Sequence, residues 1–189
     1  MAQVDGLSVA LPKPTVDRLP DRPPEPAFDR SELRTALGMF ATGITVVTAG
    51  GAVPCGMTAN SFTSVALDPP LILVCVVHEA AIHSAILAEQ AFAVSILSTR
   101  QEQEARYFAD HRRPRGDREF DLVESTPGKH TGAPILDEAL AWLECRLTAV
   151  YDGGDHSIFL GSVLGLGRDS GKEPLLFFGG GFHSMAAAQ

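Results

Sequence analysis

The chain has 189 residues, of which 45% are hydrophobic and 20% charged, and a net charge of −8. A chain of this length buries a core without disulfide or metal staples, and its composition excludes a collagen, a coiled coil and a disulfide scaffold. The acidic balance argues against a nucleic-acid binder, which neutralises phosphates with a basic face.

Six of the thirteen prolines (Pro12, Pro14, Pro20, Pro23, Pro24, Pro26) fall in the first 26 residues. Residues 1–27 therefore read as an extended or flexible arm, since proline removes donors and disfavours both helix and central strand. The domain follows over 28–189. Asp29 is an N-cap and Glu32 completes a capping-box pair, so a helix starts here. Leu33, Ala36, Leu37 and Phe40 mark its apolar face, and Gly43 is the expected stop.

The period then changes. ITVVT (44–48) is a β-branched strand closed by Gly50-Gly51. A run around 53–58 leads into SFTSVAL (61–67) and Asp68-Pro69-Pro70. LILVCVV (71–77) is fully apolar and reads as a buried strand; AIHSAILAEQ (81–90) is helical, and FAVSIL (92–97) is another strand. Thr99 with Glu102 caps a helix that carries Ala105 and Phe108 inward. Residues 110–134 read as a long loop. AWLECRLTAVY (141–151) alternates as a strand with Glu144 and Arg146 on its polar side. Strands at 157–166 and 175–178 complete the chain. Many short strands with close turn signals imply a mainly β, barrel-like fold decorated by short helices.

Three cysteines (Cys55, Cys75, Cys145), an odd number without CxxC spacing, fit neither a disulfide framework nor a zinc site. The N-terminus lacks a signal-peptide pattern, and Leu71–Val77 is too short to span a bilayer. These features imply a reduced, cytoplasmic protein with no membrane partner.

GLGRDSG (165–171) misses the dinucleotide fingerprint at its third glycine and precedes no helix, so it reads as a hairpin turn. There is no Walker A, GxSxG or HExxH pattern, and no metal site is expected. GMTANSFTS (56–64) is more informative: small and hydroxylated residues let a planar ligand approach the backbone and offer hydroxyl and N–H partners. A solvated strand has a similar composition. In GGDHS (153–157) a histidine stands at a strand end behind a turn; it suits a binding mouth, and equally an ordinary turn capped by its aspartate. His111 and His130 lie in the polar loop. Arg112, Arg113, Arg115 and Arg118 form a basic patch, either solvated or facing an anion such as a nucleotide phosphate.

LRTALGMFATGITVVT (33–48), GMTANSFTSVALDPPLILVC (56–75), FAVSIL (92–97), GDHSIFLGSV (154–163) and PLLFF-GGGF (174–182), in this order, resemble the flavin reductase family. Its domain is the FMN-binding split barrel, a Greek-key-like fold, and its members are the small reductase components of two-component flavin-dependent monooxygenases. The resemblance covers about residues 28–185.

The resemblance implies a homodimer in which NADH or NADPH reduces FMN or FAD, and the reduced flavin diffuses to a separate monooxygenase. It implies that Thr58, Ala59, Asn60 and Ser61 line the isoalloxazine ring, that Ser64 and Val65 lie near the ribityl chain, and that Thr45, Val46 and Val47 stand on the strand behind it. His83 and Ser84 fall at the flavin phosphate. Asp155 and His156 fall near the flavin and nicotinamide, with His156 as the catalytic candidate, and Phe182 closes the pocket. The middle loop departs from the family's Asp-Arg-Phe triplet, reading Asp117-Arg118-Glu119-Phe120, and Phe182 stands where Tyr is frequent. The departure motivates a second reading, a non-catalytic flavin carrier. A pyridoxamine-phosphate-oxidase-like barrel would want basic residues in the barrel strands, whereas the arginines here cluster in the loop.

Overall fold

The structure is a computed structural model that describes residues 26–185, so nearly all of the arm expected over 1–27 lies outside the described residues. The first helix, α1 (Arg30–Gly38), starts as expected. Asp29 Oδ1 accepts from the backbone N–H groups of Ser31 and Glu32 at 2.7 and 2.8 Å, and Glu32 Oε2 accepts from the Asp29 N–H at 2.9 Å. Such a cap contributes about 1 kcal/mol. The helix stops at Gly38 rather than Gly43, because Thr42–Gly43 (β1) is taken into a small sheet with β11 (Leu176–Phe178) and β12 (Gly181–His183). The apolar face of α1 is uncovered, with Leu37 64% exposed, and Phe40 just beyond the helix is 76% exposed.

The main sheet contains β2 (Thr45–Ala49), β3 (Cys55–Ala59), β4 (Thr63–Leu67), β5 (Pro70–Val77), β6 (Ala91–Ile96), β9 (Ala141–Asp152) and β10 (His156–Arg168). Their order is β3-β2-β6-β9-β10-β5-β4, and every pairing is antiparallel. A separate hairpin, β7 (Ser125–Pro127) and β8 (Pro134–Leu136), lies within the long middle loop. The end strands β3 and β4 do not pair with each other, so the barrel is split. The Ser61 hydroxyl spans the turn between them, donating to the Cys75 carbonyl at 3.1 Å and accepting from the Cys75 N–H at 3.0 Å. A side chain thus extends the β4–β5 ladder by one residue pair.

β2 is buried along its whole length, and its alternation feeds two cores. Val47 joins Val74, Val76, Phe92 and Phe159, together with Ile82 and Ile86 of α2 (Ala81–Glu89). Val46 joins Ile44, Leu97, Leu136 and Phe108 of α3 (Glu102–Ala109). Each such side chain contributes about 1.5–3 kcal/mol on burial. Gly161 of β10 is needed for packing, since a Cβ there would stand 2.6 Å from Phe92 Cζ.

Three expectations need correction. Ser98, not Thr99, begins the third helical segment: Gln101 Oε1 accepts from the Ser98 N–H at 3.1 Å, and a 3-10 turn over Thr99–Gln101 leads into α3. Ala105 and Phe108 point inward as expected. Glu144 does not lie on a solvated face; it is 1% exposed, whereas Arg146 is exposed. Loop 128–131 folds over it, and its Oε1 accepts from the His130 N–H, the Thr131 N–H and the Thr131 hydroxyl at 2.8–2.9 Å. Burial pushes the Glu144 carboxyl up, but these hydrogen bonds outweigh it and hold the group below the ordinary carboxylate range. Finally, β10 runs on through Gly165–Arg168, and the turn follows it, with Asp169 Oδ1 accepting from the Gly171 N–H at 2.9 Å.

Burial first, and the Glu119 carboxylate second, push the Cys55 thiol up to about 11. Burial and the Glu144 carboxylate push Cys145 up to about 12. The thiolate is the reactive form. A disulfide-exchange reagent at pH 8 is expected to leave Cys55 and Cys145 untouched in the folded protein and to titrate all three thiols after unfolding; equal rates at all three in the folded protein would contradict the burial.

Candidate flavin site

β3 is an edge strand, paired on one side only, with β2. Backbone groups alternate in direction along a strand, so Gly56 and Thr58 both point away from β2. At Gly56 the outward groups are covered: its N–H donates to Glu119 Oε1 at 3.1 Å, and its carbonyl accepts from Arg113 Nη2. Two residues on, at Thr58, the outward groups face a cleft.

The cleft has two lobes that share Thr58 and Ala109. One, about 390 Å³, is lined by Gly56, Met57, Thr58, Val77, the start of α2 and the loop residues His111, Arg113 and Arg115. The other, about 210 Å³, is lined by Ile44, Thr58, Ala59, Asn60, Phe177 and Phe182. The floor is small side chains and backbone, suited to a flat ring. Phe177 and Phe182 pack edge to face at 5.6 Å, with the Arg106 guanidinium 4.7 Å above the Phe182 ring.

The other end of the cleft is polar. Ala80, the N-cap of α2, offers no side-chain cap, so the first N–H groups of this helix remain available to an anion. Three of the four loop arginines are committed to acids: Arg112 to Asp110 at 3.2 Å, Arg113 to Glu119 at 2.8 Å and Arg118 to Asp121 at 3.5 Å. Arg115 has no ion pair among the described residues and lines the cleft together with His111; Glu79 is the one carboxylate in the lining.

The structure brings together Thr58, Ala59, Asn60 and Phe182. Hydroxyls expected to meet a ligand are spent on the fold instead: Thr58 Oγ1 donates to the Ala105 carbonyl at 2.6 Å, and Ser61 is engaged with Cys75. Thr45, Val46 and Val47 lie behind the site with buried side chains, and Thr45 Oγ1 donates to the Ala59 carbonyl at 2.8 Å. Ser64 and Val65 stand exposed on β4, and Ser84 is exposed on α2; none of the three lines the cleft.

His83 also lies off the cleft. Its Nε2 meets Ser157 Oγ at 2.8 Å, and burial first, then the His78 ring, push it below the ordinary histidine range. His156 sits at the β9–β10 hairpin with Nδ1 2.6 Å from Asp155 Oδ1. It is the cross-strand neighbour of Val77, which lines the larger lobe, but does not line that lobe itself. Hydrogen bonding to the His156 ring and the charge of that ring hold the Asp155 carboxyl low.

The flavin reductase like domain matches residues 37–186. The chain belongs to the flavin reductase family. It is 51% identical over 158 residues to an NADH-dependent FAD reductase of Streptomyces globisporus, covering 84% of this chain and 87% of the relative. The solved structure of the NADH:FAD oxidoreductase from that organism, in complex with NAD and FAD fragments, superposes with a TM-score of 0.80 at 49% identity, covering 84% and 94% of the two chains. The flavin reductase component of a bacterial two-component tryptophan halogenase superposes with a TM-score of 0.81 at 47% identity, covering 85% and 100%. A reductase subunit of a flavin-dependent monooxygenase from Rhodococcus jostii is 36% identical, covering 82% and 77%.

Arg115, as the cleft's unpaired arginine among the described residues, should discriminate phosphorylated from unphosphorylated flavin. A lost charge-assisted hydrogen bond is worth about tenfold in affinity. Arg115→Ala is expected to weaken FMN binding by about that factor and to leave riboflavin binding nearly unchanged. Equal losses for both, read by quenching of flavin fluorescence, would remove Arg115 from the anion end.

Proposed function

We propose that the chain is an NADH-dependent flavin reductase that takes free FMN or FAD, with NADPH as the alternative donor, and supplies reduced flavin to a separate flavin-dependent monooxygenase. The observation that carries this reading is the cleft along the free edge of β3, where an outward backbone donor and acceptor at Thr58 meet a floor of small residues. A flavin held there would supply the hydride acceptor for a nicotinamide. The protein's work is placement. The Thr58 N–H and carbonyl hold the polar edge of the ring, and Ala59 and Ala109 leave room against it. Phe177 and Phe182 close one end of the cleft, while Arg115, His111 and the start of α2 receive the phosphate. Donors aimed at a ring that gains negative charge favour its reduced form.

His156, supported by Asp155, is assigned to orient the nicotinamide carboxamide. A homodimer is supported by the apolar surface that one chain leaves bare, with Leu37, Phe40 and Leu67 at 64%, 76% and 90% exposure. No helix among the described residues is long and apolar enough to cross a membrane. Free cysteines accord with a cytoplasmic location, where NADH is supplied.

NADH and NADPH oxidation measured with FMN, FAD and riboflavin in turn tests the reading. Oxidation is expected only when flavin is added, and none with any flavin under either nucleotide would contradict it. In the same assay His156→Ala should slow flavin reduction while changing flavin affinity much less; unchanged kinetics would remove His156 from the site.

A further inference from the structure

Arg113 and Glu119 form an ion pair with side chains only 4% and 1% exposed. Burying two charges is costly, and a loop that merely covered apolar surface would do so better with aliphatic side chains. The pair's partners explain its presence. Glu119 Oε1 accepts from Arg113 Nε at 3.1 Å, from Arg113 Nη2 at 2.8 Å and from the Gly56 N–H at 3.1 Å. Arg113 Nη2 donates in turn to the Gly56 carbonyl, and Nη1 to the Asp110 carbonyl at 3.0 Å. One acid and one base therefore take both outward backbone groups of a single residue on the edge strand.

The surroundings are interlocked with this grip. The Arg113 guanidinium lies 5.5 Å from the Phe108 ring centroid. Gly56 must be glycine, since a Cβ there would stand 2.8 Å from Phe108 Cε1. Tyr107 Oη donates to the Glu119 carbonyl at 2.8 Å, which ties the loop to α3. Thr58 Oγ1 donates to the Ala105 carbonyl, which ties β3 to the same helix two residues earlier. α3 is thus tied to β3 directly at Thr58 and through the loop at Gly56, and its last residue, Ala109, lines both lobes of the cleft.

We propose that the Arg113–Glu119 pair is a positioning device for the flavin: it occupies the β3 edge at Gly56 and thereby sets where the free edge begins, so that the ring pairs with Thr58 and cannot slide toward Cys55. The proposal rests on the reading of the cleft as a flavin site. Glu119 lies outside the lining of the cleft, and Arg113, which lines its larger lobe, has its guanidinium engaged by Glu119 and by the Gly56 and Asp110 carbonyls. Both act through Gly56 and α3.

Amide exchange in the wild-type protein tests this without a variant. In the flavin-free protein the Gly56 amide should already be protected and the Thr58 amide exposed; adding FMN should protect Thr58 and leave Gly56 unchanged. A Gly56 amide exchanging as fast as Thr58, or a Thr58 amide indifferent to bound FMN, overturns the proposal. Failure of FMN to bind at all, seen as unquenched fluorescence, overturns the reading of the cleft and the device with it.

Variants supply the second arm. Glu119→Gln should raise the FMN dissociation constant by about tenfold and alter the visible circular dichroism of bound flavin, with the NADH KM unchanged. The double variant Arg113→Met with Glu119→Leu removes both charges and should melt higher than Glu119→Gln, yet should not recover FMN affinity. A folded variant that binds FMN as the wild type does contradicts the proposal.

Discussion

A strand at the end of a sheet carries a row of backbone donors and acceptors that need partners. In this chain β3 is that strand, and its outward edge is divided between two kinds of partner. At Gly56 the fold supplies its own, an acid and a base from the middle loop. At Thr58 the edge is left to the cleft. Much else depends on that division. α3 is held by Thr58 on one side and by the loop on the other, the small floor of the cleft comes from β3 and the end of α3, and β2 behind it is buried on both faces so that the edge cannot shift.

Backbone recognition suits the chemistry. Hydride transfer between two cofactors requires no protein nucleophile and no metal, only that the reacting rings be stacked, oriented and shielded. Backbone groups on a packed strand are better fixed than long side chains, which lose rotamer freedom on ordering. Thr58 and Ser61 spend their hydroxyls on the Ala105 carbonyl and the Cys75 backbone: the side chains hold the frame, and in the proposed site the main chain is left to the ligand. The same economy appears in the charges. In a protein of net charge −8, Arg115, His111 and a helix start form the local arrangement proposed to receive an anionic cofactor, while the other loop arginines are neutralised by neighbouring acids.

Much of this was legible in the sequence because the signals are local. The capping box at Asp29 and Glu32, the unbroken apolar run 71–77, the strand 92–97 and the inward pair Ala105 and Phe108 each follow from short-range chemistry. The small-residue segment 56–64 contributes Gly56 to Asn60 to the lining of the cleft, and the ordered motifs carried the family. What was not legible depends on contacts distant in sequence. Alternation assigned Glu144 to water, yet a loop fourteen residues away folds over it. The end of α1 is set by strand β11, some 130 residues later. Composition showed four arginines in the loop, but only the fold separates the buried Arg113 from the available Arg115. His83, which the resemblance places at the flavin phosphate, meets Ser157, far along the chain, and stands outside the lining of the cleft.

The flavin is proposed to pair with the free edge of β3. A crystal structure of the protein grown with FMN tests it most directly. The ring is expected in the cleft, with a polar edge of the isoalloxazine within hydrogen-bonding distance of the Thr58 backbone and the phosphate at Arg115 and the start of α2. A flavin seated elsewhere, for instance in the cavity beside Trp142 and Lys129 between the β7–β8 hairpin and β9, with the Thr58 edge left to water, would contradict it.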